Sequence, residues 1–483
     1  MEEIGAGGPS AVDGGRRNGQ TPTVDRLSSL DAQFLHLEDE KTPLHIAGVT
    51  IYAGPAPSLE DVCGLILGKM HGIPRYRQRV RSVVLELGRP VWVDDPFFDI
   101  GYHVRHTALP QPADDAALER LTARLMSQRL DRDRPLWECW LVEGLSDGRW
   151  ALVLKVHHCM VDGVAGVGLL EALLDLEPDP SVPTPQPWTP SPEPTPGEMV
   201  ADAWMGLMAD TVTRGAHLVT AATRPAEAVA QLRRTAQGAA KFLGHLAPRD
   251  APSLEGAVGP HRRWTHATVD LAEVKRIGRA AGGTVNDVIL AAMTAGWRTY
   301  LQHRGDPVDG AVRTLVPVSV RHDDGIGVPD NRVSALLLEL PTHIDDPRAR
   351  FEAVRAEMAE RKASYMSEAG EWVTSVADLV PPMLAGSASR LVLRVLHTTG
   401  QKSVNTVVTN VPGPQFPLYC LGRELLEFWP YVPVAHGAVV ATAIMSYNGR
   451  LAIGVTGDYD RASDIDVLVA GVVAGIEELS TVG

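Results

Sequence analysis

Residues 150–175 read WALVLKVHHCMVDGVAGVGLLEALLD, and this stretch decides the fold that we predict for the chain. Residues 151–156 are apolar except for one lysine, and the run is short and rich in Val and Leu, so we expect a buried strand. Residues 164–174 are apolar except for one glutamate over about three helical turns, and they predict a buried helix. The polar pattern HHxxxDG at 157–163 therefore lies between a strand and a helix, where functional residues are frequent.

The four fixed residues of this pattern, two histidines, an aspartate and a glycine, suit an acid–base site. Side chains alternate along a strand, so His157 and His158 point to opposite faces if the strand continues through them, and only one can face a substrate. A neutral imidazole can take a proton from an alcohol or an amine at physiological pH. Asp162 can orient an imidazole or hold the connection by an ion pair, and Gly163 leaves room for a substrate to approach the backbone.

Three other interpretations of the motif are open. The two histidines can be core residues beside a helix-capping aspartate. A metal site would use His158 and Asp162 as ligands, although no further cluster of His, Asp or Glu with ligand spacing occurs in the sequence. Cys159 can act as a nucleophile beside a histidine, but cysteine is more often a small buried apolar residue.

The segment HHCMVDG resembles the active-site motif of the acyl-CoA-dependent acyltransferases related to chloramphenicol acetyltransferase and to peptide-synthetase condensation domains. Other stretches are similar to one branch, the bacterial wax ester synthase/diacylglycerol acyltransferase family, and occur in that family's order. They are LSSLDAQFLHLE (27–38), DRDRPLWE (131–138), TVNDVILAA (284–292), VPVSVR (316–321), NTVVTNVPGP (405–414) and SYNGRL (446–451). The ordered set is much more specific than HHxxxDG alone.

The resemblance implies an α/β (α+β) fold of two chloramphenicol-acetyltransferase-like domains, each a mixed sheet flanked by helices, with the active site between them. It implies long-chain acyl-CoA as the donor, and diacylglycerol or a long-chain alcohol as the acceptor. The product would be triacylglycerol or a wax ester, and no cofactor or metal would be needed. Such enzymes associate with the inner membrane face or with lipid inclusions. The basic residues 74–81, PRYRQRVR, then predict either a solvated face or a contact with the coenzyme A phosphates.

The second half contributes further candidate residues. Thr284 followed three residues later by Asp287 predicts a helix start with a capping box. Asn286, in the same turn, has a functional interpretation as a hydrogen-bond donor toward the reacting thioester, aided by the helix N-terminus. The resemblance favours a site role for the Asn286–Asp287 pair. Arg321 ends a predicted strand and can pair with Asp162.

Composition excludes several classes of function. The formal net charge of −14 argues against nucleic acid as a partner and against general attraction to anionic membranes. The four cysteines have no metal-binding spacing, which indicates a reducing, cytoplasmic compartment. No run approaches the roughly 18 apolar residues that span a bilayer. Residues 1–22 are Gly-rich and polar, which predicts a disordered tail and no secretory signal.

A change of composition divides the chain. Residues 178–197 contain nine prolines, so we expect a linker. Residues 199–212 and, more weakly, 226–246 have helical spacing, and they predict a crossover that packs on the main body or presents an apolar stripe to lipid. We therefore predict a tail (1–22), an N-terminal acyltransferase domain (23–177), a linker with a helical crossover (178–260) and a C-terminal acyltransferase domain (261–483).

The predicted mechanism is a direct transfer without an acyl-enzyme. The resemblance selects His158 rather than His157 as the general base, while Asn286 stabilises the oxyanion and Ser319 is a weaker donor candidate. Two rival classes stay open at this stage. One is a condensing acyltransferase that uses a carrier-protein thioester, and the other is a non-catalytic lipid-binding relative.

Overall fold

The strand predicted ahead of the two histidines is present, and it lies at the centre of a sheet. The computed structural model describes residues 25–160, 173–179, 182–206, 208, 254, 256–319, 333–368, 404–434 and 437–481. In chain order the elements are α1 (Ser29–Leu37), β1 (His45–Tyr52), α2 (Leu59–Lys69), β2 (Gln78–Arg81), β3 (Val91–Asp94), α3 (Ile100–His103), β4 (Val104–Ala108), α4 (Asp115–Ser127), β5 (Trp137–Glu143), β6 (Trp150–His157), β7 (Arg262–Asp270), α5 (Leu271–Ala280), α6 (Val285–Arg304), β8 (Val312–Ser319), β9 (Val333–Leu340), α7 (Pro347–Glu368), β10 (Thr406–Pro412), β11 (Tyr419–Cys420), β12 (Arg423–Tyr431), β13 (Val440–Tyr447), β14 (Arg450–Asp458) and α8 (Ile465–Thr481).

The first sheet has the order β11-β12-β1-β6-β5-β4. Every neighbouring pair is antiparallel except β4 with β5, so the sheet is mixed, as predicted. All eight residues of β6 are buried, because the sheet is covered on both faces. Strands β11 and β12 come from the second half of the chain, so the first sheet is completed across the predicted domain division.

The second sheet has the order β7-β14-β13-β10-β8-β9 and is also mixed. Its parallel pairs are β10 with β13 and β10 with β8. Asn448 and Gly449 join β13 to β14 in a tight hairpin in which both residues have positive φ angles, 42° and 80°. This confirms the hairpin that the Asn-Gly pair predicts, since positive φ at both central residues is the geometry of the favoured two-residue turn.

Helices α6 and α8 approach each other closely in the apolar core beside the second sheet. An added Cβ on Gly296 of α6 would lie 2.5 Å from Val472 Cγ2 and 2.9 Å from the Leu468 carbonyl oxygen. An added Cβ on Gly475 of α8 would lie 2.7 Å from Ala295 Cβ. The contact therefore depends on the absence of side chains on both helices.

The Pro-rich segment has no helix or strand between residues 182 and 195, and its role as a linker between domains stays a prediction. Residues 196–206 are helical, and one side of this helix, with Met199 and Ala203, packs on Val83, Val91 and Val93. The predicted helices over 164–174 and 226–246 lie wholly or almost wholly outside the described residues. Within the described ranges, no helix has both the length and the apolar character needed to cross a membrane.

Candidate functional site

The turn that carries the two histidines is tied to the strands on both sides of β6. The His157 N–H donates to the Leu136 carbonyl 2.9 Å away, ahead of β5, and the His158 N–H donates to the Leu44 carbonyl 2.9 Å away, ahead of β1. Residues His158–Met160 then form a single 3-10 turn. The strand thus ends between the two histidines, and backbone hydrogen bonds set the position of both.

His157 is held inside the protein. Its side chain is 1% exposed, and Nδ1 accepts a hydrogen bond from the Cys159 N–H at 3.1 Å. Because Nδ1 acts as an acceptor, the proton of the neutral ring is on Nε2. Nε2 lies 3.6 Å from Oε1 of Glu38. His157 is therefore the histidine that the protein retains as a structural group.

His158 has different surroundings, as the sequence predicted. It is half-buried, and its ring stacks on Phe34 of α1 with 4.0 Å between the ring centroids. Burial lowers the pKa of His158 to about 4, with the neighbouring His157 acting in the same direction. The imidazole is therefore neutral at physiological pH, which is the form that can accept a proton.

A buried carboxylate lies beside His157. The side chain of Glu38, the residue after α1, is 1% exposed, and its Oε1 is 3.1 Å from His45 Nε2. Its Oε2 accepts from Arg132 Nη2 at 2.5 Å and lies 3.4 Å from Arg129 Nη2. Burial would raise the pKa of this carboxyl, but its contacts with His157 and His45 lower the pKa well below its usual range. Glu38 is therefore an ionised carboxylate in the interior.

Glu38, His45 and His157 resemble a metal-ligand set, since one potential ligand atom of each lies within 4.8 Å of the others. The metal site considered from the sequence used a different pair of ligands, His158 and Asp162. The hydrogen bond from the Cys159 N–H disfavours a metal here, because it leaves the proton of His157 on Nε2, the atom that would have to bind the ion. Our expectation of a site without a metal stays a prediction.

Cys159 does not have the properties of a nucleophile. The side chain is 2% exposed. Burial raises the pKa of the thiol well above its usual value, so the reactive thiolate is not formed at physiological pH. Cys159 contributes to the core beside the turn, as free cysteines usually do.

The second group of candidates lies at the start of α6. Thr284 is the N-cap, and its Oγ1 accepts from the Asp287 N–H at 3.3 Å, while Asp287 Oδ2 accepts from the Thr284 N–H at 2.8 Å. This confirms the predicted capping box, so the Asp287 carboxylate is used in helix initiation. Asn286 is half-buried, and its Oδ1 accepts from Nδ2 of Asn410 on β10 at 3.3 Å.

The structure places one further predicted residue in its strand and does not describe three others. Ser319 is the last residue of β8. Asp162, Gly163 and Arg321 lie outside the described residues, and so does the ion pair that we expected between Asp162 and Arg321. Their roles stay predictions.

Sequence reasoning missed Glu38, His45, Arg132 and Asn410 as individual residues. Three of the four belong to stretches that carry the family resemblance, which end in or contain Glu38, Arg132 and Asn410. Those stretches were the signal that could have found them. His45 begins β1 opposite His157, a register that only the folded sheet shows.

The basic residues at 74–81 are mostly half-exposed, and three of the arginines also contact the Pro-rich segment. Arg79 and Arg81 bind Glu193 of the Pro-rich segment at 2.8 and 2.7 Å. Arg77 is buried, and its guanidinium lies over the Trp188 ring at 5.0 Å from the centroid. These contacts attach the Pro-rich segment to the first domain, and a contact of these arginines with the coenzyme A phosphates stays a prediction.

Comparison with known proteins agrees with this architecture. Residues 27–289 match the model of the wax ester synthase/diacylglycerol acyltransferase catalytic domain, and residues 330–480 match the C-terminal domain of the same family. A probable diacylglycerol O-acyltransferase of Mycobacterium tuberculosis is 36% identical over 469 residues, which cover 94% of this chain and 96% of that protein.

Solved structures give the same result. The wax ester synthase/diacylglycerol acyltransferase of Marinobacter aquaeolei is similar with a TM-score of 0.67 and 25% identity, and the match covers 94% of this chain and 99% of that one. The first condensation domain of the calcium-dependent antibiotic synthetase shares the fold alone, with a TM-score of 0.59 and 16% identity, over 95% of this chain and 96% of that one. The chain is thus an acyltransferase with two chloramphenicol-acetyltransferase-like domains, and it belongs to the wax ester synthase/diacylglycerol acyltransferase family.

Proposed function

We propose that this acyltransferase moves a long-chain acyl group from acyl-CoA to the hydroxyl of diacylglycerol or of a long-chain alcohol, with His158 as the general base. The observation that carries the proposal is the difference between the two histidines of the motif. His157 is fixed by the hydrogen bond from the Cys159 N–H and lies 3.6 Å from Glu38, whereas His158 is a neutral, half-buried imidazole just after β6. The names of the relatives support diacylglycerol and alcohol as the acceptor classes.

The chemistry needs only the two substrates and one base. His158 takes the hydroxyl proton while the oxygen attacks the thioester carbon, which forms a tetrahedral oxyanion. When the oxyanion collapses, the carbon–sulfur bond breaks, and His158 returns the proton to the thiolate of coenzyme A. This sequence forms no acyl-enzyme and uses neither a metal nor a cofactor besides the acyl-CoA substrate.

Asn286 is our candidate for the group that stabilises the oxyanion. Its Oδ1 is occupied by Asn410, so the amide nitrogen of Asn286 is directed away from that contact and can donate. The position next to the N-terminus of α6 adds the partial positive charge of the helix end. Asp162, Gly163, Ser319 and Arg321 keep the supporting roles that their chemistry and position in the sequence suggest, and Asp287 starts the helix that presents Asn286.

We further propose that the enzyme acts at the surface of the inner membrane or of a lipid inclusion. The helix over 196–206 packs one side on the first domain, and its other side exposes Trp204 by 50% and Met205 by 59%, followed by Met208 at 58%. Tryptophan and methionine on an exposed stripe suit a lipid interface. One face of the helix thus supports packing on the main body, and the other face supports a contact with lipid.

A vesicle experiment tests this surface. We expect W204S/M205S to bind phosphatidylcholine vesicles containing diacylglycerol at least threefold more weakly than the wild type in a flotation assay, because the exposed apolar contact is lost. Phe97→Ser, at another exposed aromatic, is the control and should bind as the wild type does. Equal flotation of all three proteins would contradict the assignment of this helix to the lipid surface.

The function itself is tested by release of free thiol from palmitoyl-CoA, with dioleoylglycerol or hexadecanol as the acceptor. We expect acceptor-dependent release in the wild type and a loss of about 10³-fold in His158→Ala, since general-base catalysis contributes about 10² to 10⁴. His106→Ala, which changes a surface histidine beside Glu143, should keep the wild-type rate.

Each outcome of this assay has a meaning. Full activity in His158→Ala would remove His158 as the base. Acceptor-independent thiol release would contradict the lipid acceptors, and activity only with an acyl carrier protein would favour the condensing alternative. Binding of acyl-CoA without turnover would favour the non-catalytic relative.

A further inference from the structure

We propose that Glu38 is a positioning residue of this enzyme, and that its ion pair with Arg132 fixes the turn in which His158 lies. The inference rests on the proposed role of His158 as the base. It assigns a function to a buried charged group that the transfer chemistry itself does not use.

The Glu38 carboxylate is the point where four segments of the chain meet. Glu38 follows α1, His45 begins β1, His157 ends β6, and Arg129 and Arg132 follow α4. The polar atoms of these segments lie between 2.5 and 3.6 Å from the carboxylate oxygens. A single side chain thus joins segments that are far apart in the sequence.

Arg132 holds the carboxylate with a directional contact. Nε and Nη2 donate to the same oxygen of Glu38, at 3.1 and 2.5 Å, and Nη2 also donates to the carbonyl of Leu35 in α1 at 2.9 Å. The Leu44 N–H donates to the other carboxylate oxygen at 3.4 Å. These contacts satisfy the charge of a side chain that is only 1% exposed, and removing one partner would leave a costly unpaired charge.

The two histidines of this cluster face the carboxylate with Nε2, at 3.1 Å for His45 and at 3.6 Å for His157. Burial lowers the pKa of His45 to about 3, although Glu38 acts in the opposite direction. His157 carries its ring proton on Nε2, the atom that faces Glu38, because Nδ1 accepts from the Cys159 N–H. The negative charge of Glu38 is therefore balanced by the guanidinium groups, and it orients the His157 ring.

His158 is enclosed by this arrangement on two sides. The residues before and after it are joined by the hydrogen bond from the Cys159 N–H to the His157 ring. On the other side, Phe34 stacks on the His158 ring, and the Phe34 carbonyl accepts the N–H of Glu38 at 3.1 Å. A displacement of Glu38 would therefore move both the turn and the ring that packs on the base.

The first test is Glu38→Gln, which keeps the shape of the side chain and removes its charge. We expect kcat for palmitoyl-CoA with the better acceptor to fall by about 10- to 100-fold, since a displacement of about 1 Å costs such a factor. KM for palmitoyl-CoA should stay within twofold, because Glu38 contacts the turn and not the substrate. Combined with His158→Ala, Glu38→Gln should cause no further loss, since it acts through that histidine.

Asp464→Asn is the matched control. Asp464 forms an ion pair with Arg304 at the start of α8, remote in sequence from the histidine turn. It should lower the thermal unfolding midpoint without changing kcat of the folded enzyme. If Asp464→Asn and Glu38→Gln lowered kcat equally, the effect would be one of general stability, and the inference would be wrong.

Arg132→Lys tests the positioning role of Glu38 if Glu38→Gln does not fold. Lysine keeps the charge but loses the two-nitrogen contact, so we expect a smaller fall in kcat, of about three- to tenfold, with KM unchanged. Wild-type kcat in the folded variants would overturn the positioning role of Glu38. Loss of activity in His158→Ala with full activity in these variants would leave the proposed function intact and remove this inference alone.

Discussion

The turn that carries His158 and the helix that begins beside Asn286 differ in what holds them. Around the turn, a buried carboxylate meets two arginines and two histidines across four segments of the chain. Helix α6 instead packs on α8 through Gly296, where nothing larger than hydrogen fits without a shift of the neighbouring helix. One candidate group is thus positioned by charge and the other by shape.

The difference predicts different consequences of mutation. Charged contacts are directional, so the loss of one partner changes where the remaining groups lie and leaves a charge unpaired. Close apolar packing has no such direction, and an extra atom is accommodated by small shifts spread over two helices. Changes around Glu38 should therefore lower activity, whereas changes between α6 and α8 should lower stability.

The largest effect on the α6 side should come from Asn286 itself. We expect Asn286→Asp, which keeps the shape but removes the amide donor, to lower kcat by about 100-fold, the usual cost of losing one oxyanion donor. Thiol release at saturating palmitoyl-CoA measures it, and KM should change little.

Thr284→Ala separates this role from helix initiation. It removes the capping hydroxyl from the same turn and should cost about 1 kcal/mol of stability, with kcat of the folded enzyme retained. Wild-type activity in Asn286→Asp would break the comparison, because α6 would then present no catalytic group.

A smaller effect is expected from Gly296→Ala, which probes packing by shape. The added methyl would meet Val472 and the Leu468 carbonyl, and we expect a net loss of about 1–2 kcal/mol after the better helix propensity of alanine is included. Differential scanning fluorimetry should show a lower unfolding midpoint, while kcat of the folded enzyme stays within twofold.

Gly64→Ala in α2 is the control for this change. No atom lies within 4 Å of the added Cβ, so stability should be unchanged or slightly higher. A fall in kcat for Gly296→Ala without a fall in stability would show that activity depends on the position of α6 as it does on that of the histidine turn. The contrast between the two regions would then disappear.

The parts of the fold that depend on neighbouring residues could be predicted from the sequence. The capping box of Thr284 and Asp287 and the Asn448–Gly449 hairpin are local, so their chemistry decides their structure wherever they occur. The apolar run before His157 likewise predicted a buried strand, which is β6.

The rest depends on pairings between distant residues, which a single sequence does not reveal. Glu38 and Arg132 are separated by 94 residues, and Asn286 and Asn410 by 124. The environment that distinguishes His157 from His158 consists of such pairings. For that reason alternation along a strand predicted that the two differ, while the family resemblance was needed to choose between them.

Strand β12, which comes late in the chain, joins the first sheet beside β1, and this has a consequence for how the protein is synthesised. On the ribosome, β1, β5 and β6 emerge early, but the partner of the apolar edge of β1 follows only after more than half of the 483 residues. At ordinary elongation rates the exposed edge would persist for roughly 10–50 s. During that interval the nascent chain presents an unpaired strand that can associate with other chains. The histidine turn therefore acquires its finished sheet only after β12 has been synthesised.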